Sequence, residues 1–129
     1  MSDKFTVEII SPDQTISKQE TNEVIIPSFE GQMGILNGHI PLITFLRPGI
    51  ITIKAEIEKK FYVEEGTVEF SNNTLIILSS TIISLDLLNN QKISKMVEES
   101  KSQLNKEELD DKTRYIAFHK FYSLSKINQ

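Results

Sequence analysis

The hydrophobic period of this chain changes once, and that change limits what it can fold into. Phe5-Thr6-Val7-Glu8-Ile9 alternates apolar and polar residues, the period of a half-buried strand. Short β-rich runs follow at close spacing: Glu23 to Ile26, Ile43 to Leu46, Ile50 to Ile53, Phe61 to Val63, Thr67 to Phe70 and Leu75 to Leu78. Turn formers separate them at Ser11-Pro12-Asp13, Pro48-Gly49, Glu65-Gly66 and Asn72-Asn73. Many short strands with no intervening helical pattern predict an antiparallel β-sandwich or small barrel rather than a parallel α/β sheet.

Beyond about Leu85 the period becomes helical. Ile93, Met96, Val97 and Leu104 fall within an arc of about 100° on a helix of 3.6 residues per turn. Asn105 with Glu108 resembles a capping box, which predicts that a second helix starts there. Glu108 with Lys112, and Asp110 with Arg114, would form i,i+4 pairs worth about 0.2–0.5 kcal/mol each. On the second helix Leu109, Ile116, Ala117, Phe121, Leu124 and Ile127 form a broad apolar face, which Tyr115, Phe118 and Tyr122 extend. A two-helix hairpin buries little by itself. It must lean on the sandwich, on another protein, or on each at different times. The expected organisation is a β-sandwich over 1–84 followed by an antiparallel helical hairpin over 85–129.

Composition narrows the chemistry. In a chain of 129 residues, 39% hydrophobic and 25% charged, one domain with a short appendage can bury a core without staples. There is no cysteine, which excludes thiolate metal sites, disulfides and cysteine nucleophiles. The net charge of −4 argues against nucleic-acid binding. The longest apolar run, Leu75-Ile76-Ile77-Leu78, is far short of the roughly 20 residues of a membrane span. No signal or transit pattern is visible between Met1 and Phe5, so the chain is expected to stay where it is made.

No catalytic constellation is expected. The two histidines, His39 and His119, lie in different halves, and neither has a second ligand nearby, so no metal site is expected. His119 is placed on the charged side of the second helix, in solvent. Gly31, Gly34 and Gly38 match neither GxGxxG nor a P-loop and instead permit turns and close approach. The pairs Asp110-Asp111 and Glu64-Glu65 read as a helix start and a pre-turn segment.

One segment is more specific. The run Ile26-Pro27-Ser28-Phe29-Glu30-Gly31-Gln32-Met33-Gly34-Ile35-Leu36-Asn37-Gly38-His39-Ile40-Pro41-Leu42-Ile43-Thr44 resembles the G-x-x-G-I-L-P-G-H-x-P-L-x-T signature of the epsilon subunits of rotary F-type ATP synthases. Leu46-Arg47-Pro48-Gly49 continues the match, and Val7-Glu8-Ile9-Ile10-Ser11-Pro12 resembles the family's first strand and turn. The resemblance implies a non-catalytic rotor subunit with no cofactor, whose sandwich binds the gamma subunit and seats on the c-ring. Mitochondria call the equivalent subunit delta. Gln32 and His39 match loop positions that face the c-ring. Relatives often carry an acid at the position of Gln32, which puts a charge-pair contact there in question. Asn37 stands where proline is usual, which should loosen the turn by roughly 0.4–1 kcal/mol.

The resemblance also implies that the hairpin can fold onto the sandwich or extend along gamma into the alpha/beta catalytic head and block ATP hydrolysis. Lys112, Arg114 and Lys120 are the expected head contacts in that extended state. Some relatives bind ATP through an I/L-D-x-x-R-A motif. Here the run is Leu85-Asp86-Leu87-Leu88-Asn89-Asn90, so Asp86 remains while Asn89 replaces the phosphate-neutralising arginine. Weak or absent ATP binding is expected, with Asp86 as a helix N-cap. The implied location is the cytoplasmic face of a bacterial inner membrane, peripheral through the complex. The alternative is a free-standing β-sandwich protein-binding module with a helical tail.

Overall fold

The structure, a computed structural model, describes residues 3–106 and 108–127, so the first two positions of the Met1–Phe5 reading lie outside it. Strand β1 (Phe5–Ile10) buries Phe5, Val7 and Ile9 and half-exposes the residues between them, as the alternation predicts. It is followed by β2 (Thr15–Thr21), β3 (Glu23–Ser28), β4 (Gly31–Leu36), β5 (Leu42–Leu46), β6 (Gly49–Lys54), β7 (Lys59–Val63), β8 (Gly66–Ser71), β9 (Thr74–Leu78) and β10 (Ile83–Ser84). The β8–β9 turn is Asn72-Asn73 with φ of 52° and 57°, the left-handed pair that a two-residue hairpin loop requires and that asparagine tolerates.

The strands run β10-β7-β6-β3-β5-β8-β9-β1-β2, with β4 hydrogen-bonded to β3 off this path. The join between β3 and β5 is a single pair, Ser28 with Leu46, and there the sheet turns over on itself. A buried hydroxyl bond, Ser28 to Thr44 at 2.9 Å, closes that fold point. Both halves feed one core, with Val24, Ile26, Ile51 and Val63 on one side and Val7, Ile9, Phe70, Leu75 and Ile77 on the other. Each large aliphatic among them contributes about 1.5–3 kcal/mol by burial. The pairing departs from a purely antiparallel sandwich in one place: β1 and β9 run parallel, from Thr6 beside Thr74 to Ile10 beside Leu78.

Strands β2, β4 and β10 carry no apolar alternation and are found only in the structure. β2 is an edge strand and buries only Thr21, so nothing forces an apolar period on it. β4 holds Gly31 and Gly34, which have no side chain to show a period.

A 3-10 turn (Leu85–Leu87) leads into α1 (Asn90–Leu104), and α2 (Asp111–Ile127) packs against it. Asn105 ends α1 instead of starting α2; its N–H donates to the carbonyl of Lys101 at 3.2 Å. Asp110 caps α2, its Oδ1 accepting from Thr113 N at 2.7 Å. An ionised acceptor at the positive pole of the helix outcompetes the neutral Asn105 amide. Glu108 therefore lies outside the helix, and neither expected ion pair, Glu108–Lys112 nor Asp110–Arg114, forms.

Candidate functional site

Two outer faces of the sandwich have opposite fates. On β7, Phe61 and Val63 point into the core, so Tyr62 points outward, yet it is fully buried. Helix α2 packs on neighbouring β6, and the 3-10 turn Leu85–Leu87 packs on β7 itself. On β5, Thr44 and Leu46 point inward, and Ile43 and Phe45 stand outward, 74% and 61% exposed. Across the register Phe45 faces Thr67, which faces Leu78, itself 46% exposed, and Leu78 pairs with Ile10 of β1. Glu69, opposite Ile43, is the one charge on this strip of β5 and β8. Ile43 stands open, while Phe45 and Leu78 remain exposed at the border of a groove beside α2.

The seat of α2 is the turn Arg47-Pro48 between β5 and β6. Arg47 N–H donates to Pro27 O at 2.9 Å, and its Nη1 donates to Pro48 O at 3.0 Å. Ser123 Oγ donates to the same Pro48 carbonyl at 3.4 Å. Lys120 Nζ lies 3.7 Å from Glu64 Oε1, and Tyr62 donates to Glu64 Oε2 at 3.1 Å. Burial first, and then the neighbouring Glu64 carboxylate, push the Tyr62 hydroxyl far above its ordinary range and keep it neutral. Tyr115 stacks on Phe29, ring centroids 5.6 Å apart.

His119 lies within this seam. Its ring meets Tyr115 edge-on at 4.4 Å and Phe118 at 5.3 Å, and its Nδ1 is buried with no partner. Burial and then the Arg47 charge hold its pKa below the ordinary value. Arg47 Nε is likewise buried and unpaired. Toward the start of α2 an open groove of about 1250 Å³ separates helix from sheet, walled by Phe29, Phe45 and Leu78 on one side and by Lys112, Ile116 and Lys120 on the other. Among the described residues no group of three metal-ligating side chains occurs, and no helix is long and apolar enough to cross a membrane.

The family described as "ATP synthase, Delta/Epsilon chain, beta-sandwich domain" matches residues 4–85. The chain is 38% identical to the ATP synthase epsilon chain of Pelagibacter ubique, over 99% of its own length and 100% of that relative. It belongs to the ATP synthase delta/epsilon family. Similarity to the epsilon chain 2 of Nitrobacter hamburgensis is 31% over 84% of this chain and 80% of the relative. In fold it resembles a chain of the Euglena gracilis mitochondrial ATP synthase OSCP/F1/c-ring structure, with a TM-score of 0.80 at 20% identity, covering 100% of this chain and 84% of that one. A chain of the Tetrahymena thermophila central stalk/c-ring structure gives 0.67 at 16% identity, covering 96% of each.

Within this epsilon-type chain the family-matched residues fall in several places. Gln32 is exposed, but it sits in β4 rather than in a loop. His39 follows β4, its N–H bonded to Leu36 O at 3.1 Å and its ring edge-on to Phe70 at 5.9 Å. The strand from Gln32 to Leu36 spans roughly 13 Å, so the two lie along one edge without touching. Exposed Leu36 and Ile40 flank His39.

Asp86 does not cap a helix. It lies inside the 3-10 turn, and its N–H donates to Ser84 Oγ at 3.3 Å. The cap of α1 is Asn89, whose Oδ1 accepts from Lys92 N at 2.7 Å. The residue in place of arginine is thus committed to the helix start. Lys112 and Lys120 share the groove wall, while Arg114 is exposed away from it.

Sequence reasoning misplaced His119, which is half-buried against the sandwich rather than solvated, and it gave Arg47 no role beyond the signature. The spacing of four residues from Tyr115, which puts the two rings on one face of the helix, was the available signal.

Proposed function

We propose that this chain is a central-stalk rotor subunit of a proton-translocating F-type ATP synthase, binding the gamma subunit through the sandwich and seating on the c-ring. The observation that carries the reading is the exposed apolar strip Ile43–Phe45–Leu78, which runs across the neighbouring strands β5, β8 and β9. An exposed apolar strip of this kind marks a protein contact. The edge carrying Gln32, Leu36, His39 and Ile40 is the proposed c-ring contact. Membership in the family and the folds of the Euglena and Tetrahymena relatives support the assignment. In this reading the subunit catalyses nothing, the sandwich comprises 1–84 and the hairpin 85–129, and the protein lies on the cytoplasmic face of a bacterial inner membrane through its partners.

The test is co-purification with gamma. The unaltered chain should give a stoichiometric, salt-resistant complex. Phe45→Glu should keep its thermal unfolding and weaken the complex at least about 30-fold, as loss of a central aromatic anchor does. Unchanged binding by a folded Phe45→Glu protein would remove gamma from this face. A folded unaltered chain that ignores gamma would leave a free-standing binding module.

The hairpin belongs to the same proposal. It is seated by the Tyr115–Phe29 stack and by polar contacts, Ser123 with Pro48 and Lys120 with Glu64, and none of these residues belongs to the core cluster. In an extended position Lys112, Arg114 and the released Lys120 would be available to acidic segments of the alpha/beta head. Removing Leu88 to Gln129 should then leave assembly intact and raise ATP hydrolysis; unchanged hydrolysis would rule out inhibition. No nucleotide role is proposed, because Asn89 caps α1.

A further inference from the structure

The contact between α2 and the sandwich contains a titratable group in a place that disfavours its charged state. His119 Nδ1 and Arg47 Nε are both buried and both unpaired, and they belong to the two elements that meet at Pro48. Unpaired buried polar atoms are uncommon in folded proteins and invite an explanation. A neutral imidazole lodges against Tyr115 and Phe118 with only the cost of one unsatisfied nitrogen. An imidazolium would stand as a second, poorly hydrated positive charge beside the Arg47 guanidinium.

We propose that His119 is a proton-sensitive latch: its neutral ring, lodged beside Arg47, lets α2 lie on the sandwich, and its protonation loosens the helix. The proposal rests on the seam alone and holds whatever the partner of the sandwich is. The other charges at the seam do not relieve the conflict. Glu64, at the end of β7, already receives Lys120 and the Tyr62 hydroxyl. On α2 itself Lys112 and Lys120 add positive charge. On α1, the remaining neighbour of α2, the side chains of Lys92, Lys95, Glu98, Glu99 and Lys101 are all exposed.

The direction of the effect follows from linkage. The docked helix holds His119 below its ordinary 6.5, through burial first and Arg47 second. The released helix restores that ordinary value. Above about pH 6.5 both states are neutral and docking is at full strength. Below it the released state binds the proton more readily, so docking weakens as the pH falls toward the depressed docked value. In that window the ratio of released to docked helix rises by up to about tenfold per pH unit.

The chain has no cysteine, so dyes placed by Glu58→Cys and Lys126→Cys, both exposed, report the distance between sandwich and α2. Energy transfer in the full chain should fall between about pH 7 and pH 5.5 and recover on return. The same pair in a His119→Gln background should show a flat profile, and in a Glu64→Gln background should keep the pH response. A flat profile with His119 present, an equal response after His119→Gln, or loss of the response in Glu64→Gln would each overturn the latch. If His119→Gln does not fold, histidine-resolved NMR of the unaltered chain decides instead. A His119 midpoint below 6.5 supports the latch, and one at or above it refutes it.

Discussion

Gly49 sits where the β5–β6 turn passes over Pro27. A Cβ built there would meet Pro27 Cβ at 2.5 Å and Cγ at 2.8 Å, and Arg47 Nη1 at 3.1 Å. The proline ring cannot swing aside, so Gly49→Ala must shift the turn that seats α2. A loss of about 1–3 kcal/mol in urea unfolding is expected. The signature segment shows a substitution with its own compensation. Asn37 lacks the ring constraint of the proline usual in the family, but its Oδ1 accepts from Asn73 Nδ2 at 2.7 Å. Asn73 Oδ1 in turn accepts from Gly38 N at 3.2 Å. These bonds tie the β4–β5 turn to the β8–β9 turn, so the turn is clamped rather than merely loosened. Asn73→Ala loses both of these bonds and a third, longer one from Asn73 Nδ2 to Lys4 O, and places alanine at φ 57°; roughly 1–2 kcal/mol of destabilisation should appear in thermal unfolding. The glycine–histidine pattern was legible in the sequence as a signature. That its first half is strand β4 was not, because two glycines leave no alternation to read.

Helix ends were the least legible elements. Asn105 with Glu108 satisfies the sequence rule for a start, and Asp110 satisfies it a turn later. Only the charge of the cap separates them, and the structure selects Asp110. The bond to Thr113 holds the Asp110 carboxyl below its ordinary value of 3.8. A depressed acid stabilises the helix start above 3.8 and loses that contribution as the pH falls through its lower, folded value. Helicity near Thr113, followed by amide chemical shifts, should therefore decline below about pH 3.8 in the unaltered chain. Asp110→Asn caps without titrating and should remove that decline. The core stripe of α1 was read correctly at Ile93, whereas α2 was misread around His119. A helix with a single neighbour buries one stripe, but α2 is gripped by α1 and by β6, so its buried arc reaches past Ala117 and Leu124 to Ser123 and part of His119.

For the whole molecule, the sandwich and the hairpin were legible from the two periods, since alternation and helical spacing are local properties. Where the hairpin rests was not, because an apolar arc does not name its partner. Tyr62 supplies the missing information, as it is buried on the side of β7 away from the core. No member of the core cluster comes from the helices, so a chain ending at Leu87 should fold. It would also retain Tyr62 as its sole tyrosine, Tyr115 and Tyr122 leaving with the hairpin. In the full chain the raised Tyr62 value means that stability is complete below pH 10 and is lost as the pH climbs past it, because only the unfolded phenol ionises there. Phenolate absorbance should accordingly show one tyrosine of three resisting ionisation in the intact protein. The shortened chain keeps β10 and the 3-10 turn beside β7 and loses whatever part of the Tyr62 burial the hairpin supplies. Its single phenol should titrate nearer 10 and be held above it by Glu64. A phenol that still resists alkali without the hairpin would mean that the sandwich buries Tyr62 unaided, and that α2 rests on a surface it did not need to cover.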